Sequence, residues 1–151
     1  YKDKGYSYRL KEFYTLTFYN TNTFPGIEKF KHFPSLKNYD DIQFALKDGD
    51  NSFKLHLVEG GKYFYSMEKC LKKFKEVESE LNSLFKNVIP QHFDYRHASD
   101  KAQVKSTEYM FKDGFVRLAC QDWDENSKIQ DALVVQIQTM ELSRFFEKNY
   151  K

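Results

Sequence analysis

The chain predicts an α+β fold: an antiparallel sheet of about five strands packed on one long amphipathic helix (66–86), plus a short C-terminal helix, in a two-layer sandwich. Three observations carry this. Two segments, 42–57 and 107–120, alternate apolar and polar residues and break at a turn cluster, the mark of a hairpin. Between them lies a stretch with helical apolar spacing. The two cysteines, Cys70 and Cys120, fall one on the apolar stripe of that helix and one on the apolar face of the second hairpin. A helix lying across a sheet satisfies all three.

Residues 13–19 are rich in β-formers, and Tyr14, Leu16 and Phe18 alternate on one side, which predicts a strand. Turn residues fill 20–25. Ile27, Phe30 and Phe33 then recur three apart, as in a short helix over 26–33 that Pro34 ends. Ile42, Phe44 and Leu46 alternate up to the cluster Asp48–Ser52, and Phe53, Leu55 and Leu57 continue the period. Gly60 and Gly61 read as the end of that hairpin.

Ser66 is placed to cap the long helix, and Glu68 suits the positive end of its dipole. Met67, Cys70, Leu71, Phe74, Val77, Leu81, Leu84 and Phe85 draw one stripe, with Lys69, Lys72, Lys73, Glu76 and Glu80 opposite. Glu68 with Lys72, and Lys72 with Glu76, have the spacing of helical ion pairs. Asn87 closes the helix and Pro90 prevents its resumption.

Residues 88–103 show no period and read as a loop. A type I′ turn centred on Asp113-Gly114 would pair Phe111 with Val116, Tyr109 with Leu118 and Thr107 with Cys120. Leu133, Val135 and Ile137 form a last strand. Val134 on its other face suggests a central position. Thr139 caps a terminal helix with Leu142, Phe145 and Phe146 on its apolar side. The general layout is similar to helix-on-curved-sheet folds of the cystatin and nuclear-transport-factor kind. That is an analogy of architecture alone, with no shared motif.

At 151 residues the chain suits one globular domain (1–151) with a real core, aromatic-rich because it holds 15 Phe and 11 Tyr. Lys and Arg number 24 against 22 Asp and Glu, so no basic excess marks a nucleic-acid binder. No run reaches the roughly 18 apolar residues of a membrane helix, so membrane insertion is not expected. The absence of an initial Met is compatible with a cleaved signal peptide or with a chain cut elsewhere.

Four sets of residues could carry chemistry. Cys70 and Cys120 can form a disulfide if their Cα atoms come within about 4.4–6.8 Å. Sequence leaves a bridge and two separately buried thiols both open. His92, Asp94, His97 and Asp100 gather imidazoles and carboxylates of the kind that hold zinc or move protons, but no ligand spacing fits. Asp122, Asp124 and Asn126 copy the start of a calcium loop. Ser127 replaces the turn glycine and Leu133 the closing glutamate, so no metal is expected there. Trp123, Tyr63 and Tyr65 are aromatic candidates for a binding surface, with core or lid packing as the plainer account.

No phosphate-binding glycine loop, G-x-S-x-G, CxxC or H-E-x-x-H occurs. The expectation is a secreted or periplasmic non-enzymatic binding or accessory domain. Its partner would be a protein or small ligand, and it would need no cofactor. If the absent Met marks only where the chain was cut, a cytoplasmic location follows instead. The alternatives are a small metal-assisted hydrolase built on 91–100 and an oligomerising structural component. Monomer and weak homo-oligomer are both compatible with the chain.

Overall fold

The computed structural model describes residues 6–10, 12–19, 38–97, 102–124, 126 and 129–149. The short helix expected over 26–33 lies outside them. Among the described residues, eight strands form one antiparallel sheet: β1 (Tyr6–Leu10), β2 (Phe13–Tyr19), β3 (Asp41–Lys47), β4 (Leu55–Phe64), β5 (Gln91–Arg96), β6 (Ala102–Phe111), β7 (Gly114–Trp123) and β8 (Asp131–Thr139). Helix α1 (Met67–Leu84) follows β4, and α2 (Met140–Asn149) follows β8. The spatial order is β1-β2-β3-β4-β8-β7-β6-β5, so the sheet exceeds the expected five strands. No described helix is long and apolar enough to cross a membrane.

β8 is central, between β4 and β7, as its two-sided apolar character implies. Register divides the sheet into two faces. Leu118, Cys120, Leu133 and Val135 share one face and receive Cys70 and Phe74 of α1, with Met67, Leu71, Val77 and Leu81 packed around them. Phe13, Ala45 and Leu57 lie on the other face and receive Leu142 and Phe145 of α2. The helices therefore cover opposite faces, and the two-layer expectation holds only for the α1 side. The buried side of β2 is Phe13, Thr15 and Thr17, while Tyr14, Leu16 and Phe18 are half-buried. Phe13 decides this, because Phe145 and His56 close on its ring at 4.9 and 5.1 Å between centroids.

Cys70 and Cys120 are bonded, with Cα atoms 6.1 Å apart, and both are fully buried. Thr139 caps α2 as expected, its Oγ1 accepting from the Leu142 amide. Ser66 precedes α1 without a side-chain cap bond, and the helix ends at Leu84 with Phe85 at its C-cap, short of Asn87. The ion pair on its outer face is Lys73–Glu76 at 2.9 Å. Leu84 leaves the stripe, 70% exposed. Phe85 turns back onto Tyr109 and Phe111.

Three local expectations are corrected. Phe53 lies in the loop of the first hairpin rather than in its second strand: Asp50 accepts from both the amide and the hydroxyl of Ser52, and Phe53 takes a left-handed φ of 54°. Gly60 and Gly61 do not end β4. They continue its pairing with β8, because the Tyr39 ring lies on Gly60 and the Asp41 carboxylate on Gly61, where a Cβ would stand. The second hairpin turns at Lys112-Asp113, pairing Phe111 with Gly114 and Tyr109 with Val116. The register is displaced by two residues from expectation. Because side chains alternate with period two, every face assignment survives.

Gly114 opens β7 because its Cα lies against the Gln138 carbonyl of β8. Gly114→Ala sets a methyl on backbone that cannot yield, and is expected to cost about 1–3 kcal/mol in urea denaturation.

Candidate functional site

A cleft of about 470 Å³ opens between α1 and the β5–β6 end of the sheet. This is within the roughly 300–1,000 Å³ typical of ligand sites. Its helical wall is Leu71, Phe74, Lys75 and Glu78, which the spacing of three, four and seven places on one side of α1. The sheet wall presents His92 and Asp94 of β5 with Lys105 and Thr107 of β6, all on the α1 face by register.

One chain of hydrogen bonds crosses the cleft. Thr107 Oγ1, fully buried, donates to Glu78 Oε1 at 2.5 Å. His92 Nδ1 stands 2.9 Å from Thr107 Oγ1 and 3.6 Å from Glu78 Oε1. A hydroxyl has one hydrogen, and here it goes to Glu78. The network therefore places a hydrogen on His92 Nδ1, which donates to Thr107. Asp94 in turn accepts from Gln103 Nε2. Both carboxylates of the cleft are thus engaged. Lys75 and Lys105 have no ion-pair partner among the described residues.

Thr107 is buried with its hydrogen committed to Glu78, so it links helix to sheet. Thr107→Val keeps the shape and removes that link. A stability loss of about 1–2 kcal/mol is expected in chemical denaturation, since Glu78 and His92 each lose a partner.

The structure brings together only part of the histidine–carboxylate set. His92 and Asp94 share the cleft. His97 lies beyond β5 on the opposite face by register, with its ring 5.2 Å from that of Trp123. Asp100 lies outside the described residues. The expected loop over 91–96 is itself a strand, and its six residues are all exposed. Trp123 is half-buried at the end of β7 and donates from Nε1 to Gln121.

Asp124 spends its Oδ1 on the amide and side chain of Asn126, an Asx turn. The described residues hold no group of three His, Cys, Asp or Glu side chains close enough for a metal. The Tyr63–Tyr65 run is dispersed. Tyr63 donates to Asp41 Oδ2 at 2.6 Å on the α2 face, Phe64 packs under α1, and Tyr65 is 88% exposed.

Glu78, Lys75, Lys105 and Thr107 were not singled out by sequence. A weak signal exists for Glu78, a carboxylate four residues after Phe74 on the flank of an otherwise apolar stripe.

A second polar feature crosses the face opposite α1. Register sets Thr17, Gln43, Glu59, Gln136, Arg117, Glu108 and Gln91 in one cross-strand row from β2 to β5. Arg117 donates from Nε to Glu108 Oε1 at 2.6 Å and from a terminal nitrogen to Gln136. Its guanidinium lies over the Phe115 ring. Burial, reinforced by the charge of Asp41 and opposed by Arg117, raises Glu59 from 4.5 to about 7.

No protein-family model, curated protein or solved structure matches the chain.

Proposed function

We propose that this chain is a non-catalytic binding domain, secreted or periplasmic, that holds an apolar ligand bearing an anionic group in the cleft between α1 and β5–β6. The observation that carries this is the composition of the cleft. Its base is apolar, through Leu71 and Phe74. Its carboxylates already accept hydrogen bonds, and its two lysines remain unpaired among the described residues. What the site lacks is an acceptor attached to an apolar body.

The Cys70–Cys120 bond supports an oxidising compartment, where such a bond persists. Among the described residues, His97 stands on the opposite face of the sheet from His92 and Asp94. For an oligomer built on 13–19, the obstacle is topology: β2 is paired on both sides, leaving β1 and β5 as the sheet edges among the described residues.

The test is an amide NMR titration with octanoate and phenylpropionate. Shifts are expected at Leu71, Phe74, Lys105 and Thr107, and the paired change Lys75→Ala with Lys105→Ala should weaken binding about tenfold, the equivalent of about 1.4 kcal/mol. No perturbation at millimolar ligand, or shifts indifferent to the two lysines, would contradict the proposal.

A further inference from the structure

We propose that the natural occupant of the cleft is an extended peptide segment of a partner protein, added to β5 as a further strand, with an apolar and an acidic side chain two residues apart. This rests on the cleft being the binding site, and it adds the class of ligand and the way it is held.

The phase of the β5–β6 ladder is fixed at one end. The His97 amide donates to the Ala102 carbonyl at 2.8 Å, so residues 97 and 102 form a hydrogen-bonded pair. In an antiparallel pair such positions alternate with non-bonded ones. With the unbroken register from Gln91↔Glu108 to Arg96↔Gln103, the odd positions of β5 bond inward to β6. The amide and carbonyl groups of His92 and Asp94 therefore point away from the sheet. The short His92–Thr107 side-chain contact agrees, since side chains approach most closely at non-bonded pairs.

The same two residues carry their side chains on the α1 face and line the cleft. The outward main-chain groups and the cleft thus open to one side, at an edge whose six residues are all exposed. Phe93 and Tyr95, 42% and 39% exposed, lie on the other face and offer apolar surface to the reverse side of an added strand. A strand that forms the sheet edge among the described residues either recruits a strand or is protected by charge and shortness, and here the open groups of His92 and Asp94 border a groove. Main-chain bonds would hold the peptide, and alternate side chains would set preference. One would reach toward Leu71 and Phe74, and its neighbour two residues away would meet Lys75 and Lys105.

The experiment selects binders from a phage-displayed library of random decamers on the oxidised protein. The selected peptides are then made synthetically, with and without N-methyl groups at alternate residues. Selected sequences should carry an apolar and an acidic residue two positions apart. Binding should slow hydrogen exchange of the His92 and Asp94 amides about tenfold or more, and N-methylation on the bonding side should weaken affinity by a similar factor.

Asp94→Pro removes one outward amide without touching the β6 ladder, a substitution that edge strands accept. It should abolish binding, an effect far larger than that of Asp94→Ala, which leaves the outward amide in place. A peptide that shifts Leu71 and Phe74 while leaving His92 and Asp94 exchange unchanged would overturn strand addition and leave the cleft standing as the site. So would octanoate binding with no recurring peptide selected. If neither probe reaches the cleft, both proposals fall. Protection of β5 that rises with protein concentration alone would overturn the peptide in favour of a second copy of this chain.

Discussion

Replacing Cys70 and Cys120 together by alanine, or reducing the bond between them, is expected to lower stability by about 2–4 kcal/mol. The bond spans a sequence separation of 50, so cutting it frees a long loop in the unfolded chain. Loop-closure entropy for such a length is worth about 4 kcal/mol, and any strain in the native state subtracts from it. In a chain of this size that corresponds to a fall in Tm of roughly 5–15 °C.

The location sharpens the effect. Cys70 stands next to Leu71 and one turn before Phe74, so the bond fastens the helical wall of the cleft to β7. Reduction should therefore quicken amide exchange along α1 more than along β2–β3. Thermal denaturation with and without reductant measures the first effect, and exchange mapping measures the second. An unchanged midpoint would show that packing at Phe74, Leu118 and Leu133 holds the helix without help.

Glu59→Gln is expected to stabilise the protein at about pH 8 by up to about 3 kcal/mol and to have little effect near pH 4. The folded protein holds the Glu59 proton up to about 7, against 4.5 ordinarily. Between those values the folded state binds more protons than the unfolded one, so stability falls as pH rises through the window and levels off above it. Desolvation is the largest cause, and Asp41, itself raised by burial, adds to it.

His56 works in the opposite direction. It is fully buried beside Phe13, with its pKa lowered chiefly by burial. Its contribution is lost as pH falls below about 6.5, the range of free imidazole. Comparing the Glu59→Gln variant with the parent at each pH isolates the glutamate. A constant difference across pH 4–8 would contradict the assignment. In the row where Glu59 stands, Arg117 pairs with Glu108 and is separated from Glu59 by Gln136.

The parts of this fold legible in sequence are those where one face is buried against one partner. The α1 stripe is such a case, since Cys70 and Phe74 are both covered by the sheet. The β6–β7 hairpin is another. Its register slipped by two residues from the turn signal, yet Cys120 stayed on the α1 face because alternation has period two.

β5 was illegible for the complementary reason. An edge strand has one neighbour and no buried face, so Gln91–Arg96 carries no pattern that burial enforces. Gly60 and Gly61 misled because glycine ordinarily punctuates strands, whereas here Tyr39 and Asp41 occupy the space a side chain would take. The cleft was half visible. Its chemistry was sought over 91–100, and His92 and Asp94 do line it, but Glu78 and Thr107 meet across 29 positions of sequence. Only the docking of a helix on a strand brings such a pair together.

The central claim is that among the described residues β5 is a sheet edge beside the α1 cleft, with the main-chain groups of His92 and Asp94 pointing outward. Residue-resolved hydrogen exchange on the free, oxidised protein at low concentration tests it most directly. The account predicts an alternation along one strand: slow exchange at Phe93 and Tyr95, whose amides bond to β6, and fast exchange at His92 and Asp94. Equal protection at all four, or protection in the reverse phase, would mean that the edge is closed or turned the other way and would contradict the account.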